Sequence, residues 1–61
     1  QMTNFTLLTE DNRMVRIMVP RDRKVPPEVQ VGVVVEVAAV QGSDQLWYLD
    51  KFERIQLQPN Q

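Results

Sequence analysis

The stretch VGVVVEVAAVQGSDQLWYLDKFERIQL, Val31 to Leu57, decides the fold. Its first part, Gly32 to Val40, is dominated by Val, whose branched Cβ suits a pleated surface. The odd positions Val33, Val35, Val37 and Ala39 form one unbroken apolar face. The even positions Val34, Glu36, Ala38 and Val40 are mixed, as expected of a half-exposed face. Gln41 to Gln45 then interrupts the pattern with turn-forming residues, among them Gly42, which can supply a positive φ. Leu46-Trp-Tyr-Leu49 restarts the apolar pattern and Arg54-Ile-Gln-Leu57 continues it. A strand, a tight turn and a second strand follow. In the second strand Trp47 and Leu49 share parity with Ile55 and Leu57, whereas Phe52 does not. That break predicts a bulge or kink within Asp50 to Glu53, a device by which a strand turns a barrel corner.

Working outward, Asn4 to Thr9 reads as a short strand with Phe5 and Leu7 on one face and Leu8 on the other. Glu10-Asp-Asn-Arg13 is a turn, since Asp and Asn bond their own backbone and tolerate the left-handed region. Met14 to Val19 is a second strand, with Val15, Ile17 and Val19 facing one way and Met14, Arg16 and Met18 the other. Pro20 ends it, because proline cannot donate to a ladder. Arg21 to Glu28 is a charged and proline-bearing connection. Pro26 and Pro27 forbid a long helix, although one helical turn can begin at Pro27. Val25 and Val29 are available there to plug the core. Four strands and no long helix place the chain in the all-β class, as one small barrel over residues 1–61.

The chain has 61 residues and no Cys or His. A domain of this size hides only about 60% of its unfolded surface, and ordering it costs roughly 1.5 kcal/mol per residue. Disulfides and thiolate metal sites are excluded, and the commonest general base and metal ligand is missing. A partner or an oligomer is the expected supplement to the thin core. The formal net charge is −1, so no global field attracts nucleic acid. No apolar run approaches the ~18 residues of a membrane span, and no charged n-region with an apolar h-region opens the chain. Neither a membrane nor a small-molecule substrate is expected as partner.

No catalytic constellation appears. Asp50 and Glu53 have no nucleophile beside them, Ser43 has no nameable base, and the two glycines do not make a phosphate loop. A non-enzyme without cofactor or metal is expected. Binding residues are the remaining candidates. Trp47 and Tyr48 are adjacent on a strand and face opposite sides, so one is expected in the core and the other is free to stack, with Trp47 the candidate for a base. Arg16, Arg21, Arg23, Lys24 and Arg54 could track a phosphate backbone, although Asp22, Asp50 and Glu53 are interleaved with them. Met14 and Met18, if exposed together with Val34 and Val40, would make an apolar patch suited to a protein contact.

Phe5-Thr-Leu-Leu8 with its polar turn, Met14-Val-Arg-Ile-Met-Val-Pro20, and Gly32-Val-Val-Val-Glu-Val37 together resemble strands two to five of an OB-fold. More narrowly they resemble the small OB subunit of replication protein A and its telomeric relatives. The likeness covers roughly residues 4–57. It implies a subunit of a single-stranded-DNA-binding complex in replication, repair or telomere maintenance. Such a subunit is intracellular and nuclear, is mainly structural, and contacts other protein subunits more than DNA. The family's first strand and C-terminal helix have no counterpart here, so the chain is expected to be a fragment of a longer one. Failing that, it is an SH3-like barrel serving as an adaptor without nucleic acid.

Overall fold

The computed structural model describes residues 3–57. Four strands follow one another: β1 (Thr3–Leu8), β2 (Met14–Val19), β3 (Val34–Gln41) and β4 (Trp47–Gln56). They form one mixed sheet in the order β1-β2-β4-β3. β1 and β2 are an antiparallel hairpin, as are β3 and β4. The two hairpins join through a short parallel pairing, Ile17 with Trp47 and Met18 with Tyr48. The fold is all-β and barrel-like, but the sheet is not closed, so β1 and β3 are its two edges.

The period-two pattern dictates which side is buried. Ile17, Val19 and Leu49 are the buried centre, and Phe5, Leu7, Val15, Val37, Ala39 and Phe52 pack around them. Val33, Val35, Val37 and Ala39 are half-buried, while Val34, Glu36 and Val40 are exposed, as the alternation predicts. The sheet curls around this centre. Phe5 on β1 and Phe52 on β4 stack with centroids 5.9 Å apart, although β2 lies between their strands. In a flat sheet those two backbones would be about 9.6 Å apart.

The curl originates in β4. Opposite β3 its register slips twice: Glu36 faces Arg54 but Val37 faces Phe52, and Ala38 faces Lys51 but Ala39 faces Leu49. Glu53 and Asp50 are the two extra residues, so the single predicted bulge is in fact a pair. Each bulge adds one residue, which sets the core-facing positions of β4 at Leu49, Phe52 and Ile55, three apart. Two shifts restore the original parity by Ile55, which is why counting parity alone shows only one interruption. Bulges also increase local twist, and these two bend the long hairpin towards β1.

The connection from Pro20 to Val33 departs from the expected helical turn. Arg23 N–H donates to Pro20 O, Val29 N–H to Pro26 O and Val33 N–H to Gln30 O, each at 3.0 Å, which makes three separate turns. Val29 is half-buried, but Val25 is exposed and plugs nothing. Arg23 pins this connection to β4. Its Nε donates to the Asp50 backbone oxygen at 2.8 Å, and a terminal guanidinium nitrogen lies 3.2 Å from Asp50 Oδ1. Asp50 is the residue that the register slip leaves without an opposite number on β3, and Arg23 occupies its carbonyl.

Candidate functional site: a cleft between the two hairpins

Both hairpins turn by the same backbone device. In the first, Asn12 N–H donates to Thr9 O at 3.0 Å and Thr9 N–H to Arg13 O at 2.8 Å. In the second, Gln45 N–H donates to Gly42 O at 3.0 Å and Gly42 N–H to Leu46 O at 2.8 Å. The residue that closes each turn is left-handed, Asn12 at φ 67° and Gln45 at φ 71°. This is a three-residue loop ending in a left-handed position. The positive φ expected of Gly42 therefore falls on Gln45 instead. Gly42 serves a different need: a Cβ there would stand 2.8 Å from Asp44 Oδ1 and 2.9 Å from Tyr48 Cε1. The Tyr48 ring lies against the turn, and only a glycine leaves it room.

Asp44 organises the second turn. Its Oδ1 accepts the Leu46 N–H at 3.0 Å and its Oδ2 accepts the Tyr48 hydroxyl. These hydrogen bonds, Tyr48 first and then Leu46, hold the Asp44 carboxyl below its usual range. The same carboxylate pushes the Tyr48 phenol up. Because Tyr48 is tied back to Asp44, it is half-buried on the outer face, and Trp47 is 40% exposed at the end of the inner face. Neither ring enters the buried centre, contrary to the expectation that one of them would; Leu49 fills that place.

β2 and β4 pair only at residues 17–18 with 47–48. Before Ile17 the two strands diverge, and a shallow cleft of about 410 Å3 opens between the start of β2 and the second turn. Arg13, Met14, Val15 and Arg16 line one side, and Gln45, Leu46 and Trp47 the other. The cleft brings together Arg16 and Trp47, two of the predicted nucleic-acid residues, and adds Arg13 and Leu46, which the sequence did not single out. Arg13 is neutralised by Asp11, with Nε to Oδ2 at 3.1 Å. Among the described residues Arg16 has no such ion pair, which leaves it the available cation of the cleft.

The other predicted basic residues lie elsewhere. Arg21, Arg23 and Lys24 belong to the connection beyond the opposite end of β2, and Arg23 is committed to Asp50 and to Asp22, the latter at 3.1 Å. Arg54 faces Glu36 across the β3–β4 ladder. No single track joins these residues to Arg16. The four predicted contact residues also separate. Met14, 72% exposed, stands opposite Leu8, 67% exposed, beside the first turn. Met18 is half-buried and shares a row across the sheet with Tyr48 and Val40. Val34 is alone at the far end of β3, opposite Gln56. Among the described residues no cluster of three metal-ligating side chains occurs, and no helix is long and apolar enough to cross a membrane. No protein family, curated protein or solved structure matches the chain.

Proposed function

We propose that this chain is a non-catalytic OB-type subunit of a single-stranded-DNA-binding complex, built mainly for contacts with other subunits and touching DNA weakly through the cleft. The observation that carries the reading is that Arg16 and Trp47 both line the cleft left where the pairing of β2 with β4 stops, in an incompletely closed, curled sheet. An OB-fold is a partly open five-stranded barrel that binds oligonucleotides on its strands two and three and on the loops joining strands one to two and four to five. With β1 to β4 taken as strands two to five, β2 is strand three and the Gly42–Leu46 turn is the four-to-five loop. The cleft lies between those two elements. An exposed indole beside an unpaired guanidinium suits one base and its phosphate. Stacking of this kind contributes about 1–3 kcal/mol per base.

The thin buried centre and the two sheet edges left unpaired among the described residues support the subunit half of the reading. Small domains without disulfide or metal rely on partners, and open edges invite pairing with another chain. The scattered placement of the remaining cations, with Arg23 engaged in an intramolecular clamp, supports weak rather than tight DNA binding. A nuclear location follows only from the family likeness and belongs to the same proposal.

Trp47 is the sole tryptophan, so its fluorescence reports the cleft directly. Titration with a single-stranded oligonucleotide is expected to quench it with weak, strongly salt-dependent affinity. Arg16→Ala should weaken the binding and lower the salt slope. Submicromolar binding that ignores salt, or an unchanged affinity after Arg16→Ala, would remove the cleft from the reading. Complete absence of binding would leave the adaptor alternative, an SH3-like subunit that engages only protein.

A further inference from the structure

We infer that the β3 edge is a homodimer interface, in which β3 pairs antiparallel with β3 of a second copy about a two-fold axis through Val37. This inference concerns a different surface from the cleft and does not depend on nucleic acid.

The two edges of the sheet are unlike. β1 is six residues long and alternates polar Asn4 and Thr6 with apolar Phe5 and Leu7. β3 is eight residues long, VVEVAAVQ. Soluble proteins blunt an exposed edge with lysine, proline, a bulge or an inward charge. β3 has no lysine and no proline, and both extra residues of the irregular ladder belong to β4 rather than β3. Glu36 is its one charge. An edge of this length, high β-propensity and low charge is a template for another strand.

The sequence of β3 selects both the partner and the register. In an antiparallel pair, directly opposite residues must project to the same side, so only even sums of residue numbers keep the half-buried face with the half-buried face. An axis through Glu36 would set Glu36 against its own copy, and like charges directly opposite are destabilising. An axis through Ala38 would set exposed Val40 against Glu36 and carry Val34 past the strand to Gly42. With the axis through Val37, Val34 opposes Val40, Val35 opposes Ala39, and Glu36 opposes Ala38. Val34 and Val40 are 56% and 62% exposed in the monomer. This register lets each cover the other, twice by symmetry, and keeps the single charge away from its mate. The contact is isologous and closes on itself at two copies, giving one sheet in the order β1-β2-β4-β3-β3-β4-β2-β1. The self-complementarity favours a second copy over an unrelated strand, because every valine of the edge finds a valine or alanine of the same edge.

Sedimentation equilibrium of the purified protein should give twice the chain mass at high concentration. The double variant Val34→Lys with Val40→Lys places lysine opposite lysine at both ends and should lower the mass to that of the monomer. Both positions are exposed, so circular dichroism should show the strands retained. The charge-swapped variant Val34→Lys with Val40→Glu places lysine opposite glutamate and should restore the dimer; about Ala38 the same change would set glutamate against Glu36 and fail. In the Val37→Cys variant, the only thiol in the chain meets its own copy. Directly opposite Cα atoms in an antiparallel pair are about 4.5–5.5 Å apart, within disulfide range, so oxidation should give a covalent dimer on a non-reducing gel. A monomer at all concentrations would overturn the inference, whether β3 amides exchange freely or are protected by another segment of chain. A dimer that survives the double lysine variant and does not cross-link through residue 37 would also overturn it.

Discussion

The two hairpin turns share one backbone and differ in what their side chains demand. Thr9-Glu-Asp-Asn-Arg13 and Gly42-Ser-Asp-Gln-Leu46 close with the same pair of hydrogen bonds and the same left-handed fourth residue. Both carry Asp at the third position. In the first turn Asp11 accepts the Thr9 hydroxyl and pairs with Arg13, while Thr9 Oγ1 accepts the Arg13 N–H at 3.1 Å. Every group involved is local and the left-handed residue is Asn, which tolerates that conformation. In the second turn the aspartate reaches forward to a ring on β4, and the left-handed residue is Gln, for which positive φ is uncommon. The first turn is locally self-sufficient. The second accepts local strain while it holds Tyr48, and its own Gln45 and Leu46 line the cleft. The difference teaches that a turn's geometry is a backbone property, whereas the residues that fill it report what the turn must support.

The comparison is broken most severely by giving the second turn the first residue of the other. Gly42→Thr adds a branched side chain where even a Cβ meets Asp44 and Tyr48 closer than 3.0 Å. Overpacking of this kind costs about 1–3 kcal/mol, and a loss in that range should appear as a lower denaturation midpoint. Thr9→Gly at the equivalent place removes only exposed hydrogen bonds and should cost less. If the two variants melt alike, the turns do not differ as described.

A smaller effect of opposite sign is expected at the left-handed position. Left-handed backbone costs an L-residue roughly 1–2 kcal/mol, and glycine avoids it. Gln45→Gly should therefore stabilise the protein by about 1 kcal/mol, reduced by loss of the Gln41 side-chain contact to Gln45 Oε1. Asn12→Gly should gain less, because asparagine already suits the site. Equal gains, measured by urea unfolding, would show that neither turn is strained relative to the other.

The smallest effect is in pH. Asp44 has its folded pKa below the ordinary value, so its contribution is present above that ordinary value and is lost as pH falls through the lowered one. The second turn should loosen in acid, seen as faster exchange of the Leu46 amide. Asp44→Asn should abolish that dependence and leave the first turn unaffected. Tyr48 titrates above its ordinary value, so the neutral donor is in place below that value and is lost only as pH rises through the raised one.

Much of this was legible in the sequence because the side-chain period of a strand is two. Val33 to Ala39, Val15 to Val19 and Phe5 with Leu7 all bury the face that their alternation predicts. The parallel join of β2 to β4 was not legible, because it depends on how two hairpins meet rather than on either sequence. Gly42 drew the positive φ that belongs to Gln45, since glycine signals both conformational freedom and close approach and the string of letters does not say which. Arg16 and Trp47 were recognisable as chemistry, but only the divergence of β2 from β4 makes them neighbours. Arg23 looked like a phosphate ligand because the carbonyl it occupies is exposed by a register slip 27 residues away.

That slip and its companion have a consequence for how the chain tolerates length changes. Without Asp50 and Glu53, β4 would read Trp-Tyr-Leu-Lys-Phe-Arg-Ile, a regular alternation that lies in register with Gln41 to Val35 along the whole ladder. The bend is thus written as two acidic insertions in an otherwise straight hairpin. Loss of one alone would remove its own bulge and part of the bend, and would leave Leu49, Phe52 and Ile55 opposite the same β3 residues. Loss of both would keep every facing intact and remove only the curvature, and with it the meeting of Phe5 and Phe52. Deletions at these two positions should therefore keep the buried face singly or together, and straighten the hairpin stepwise.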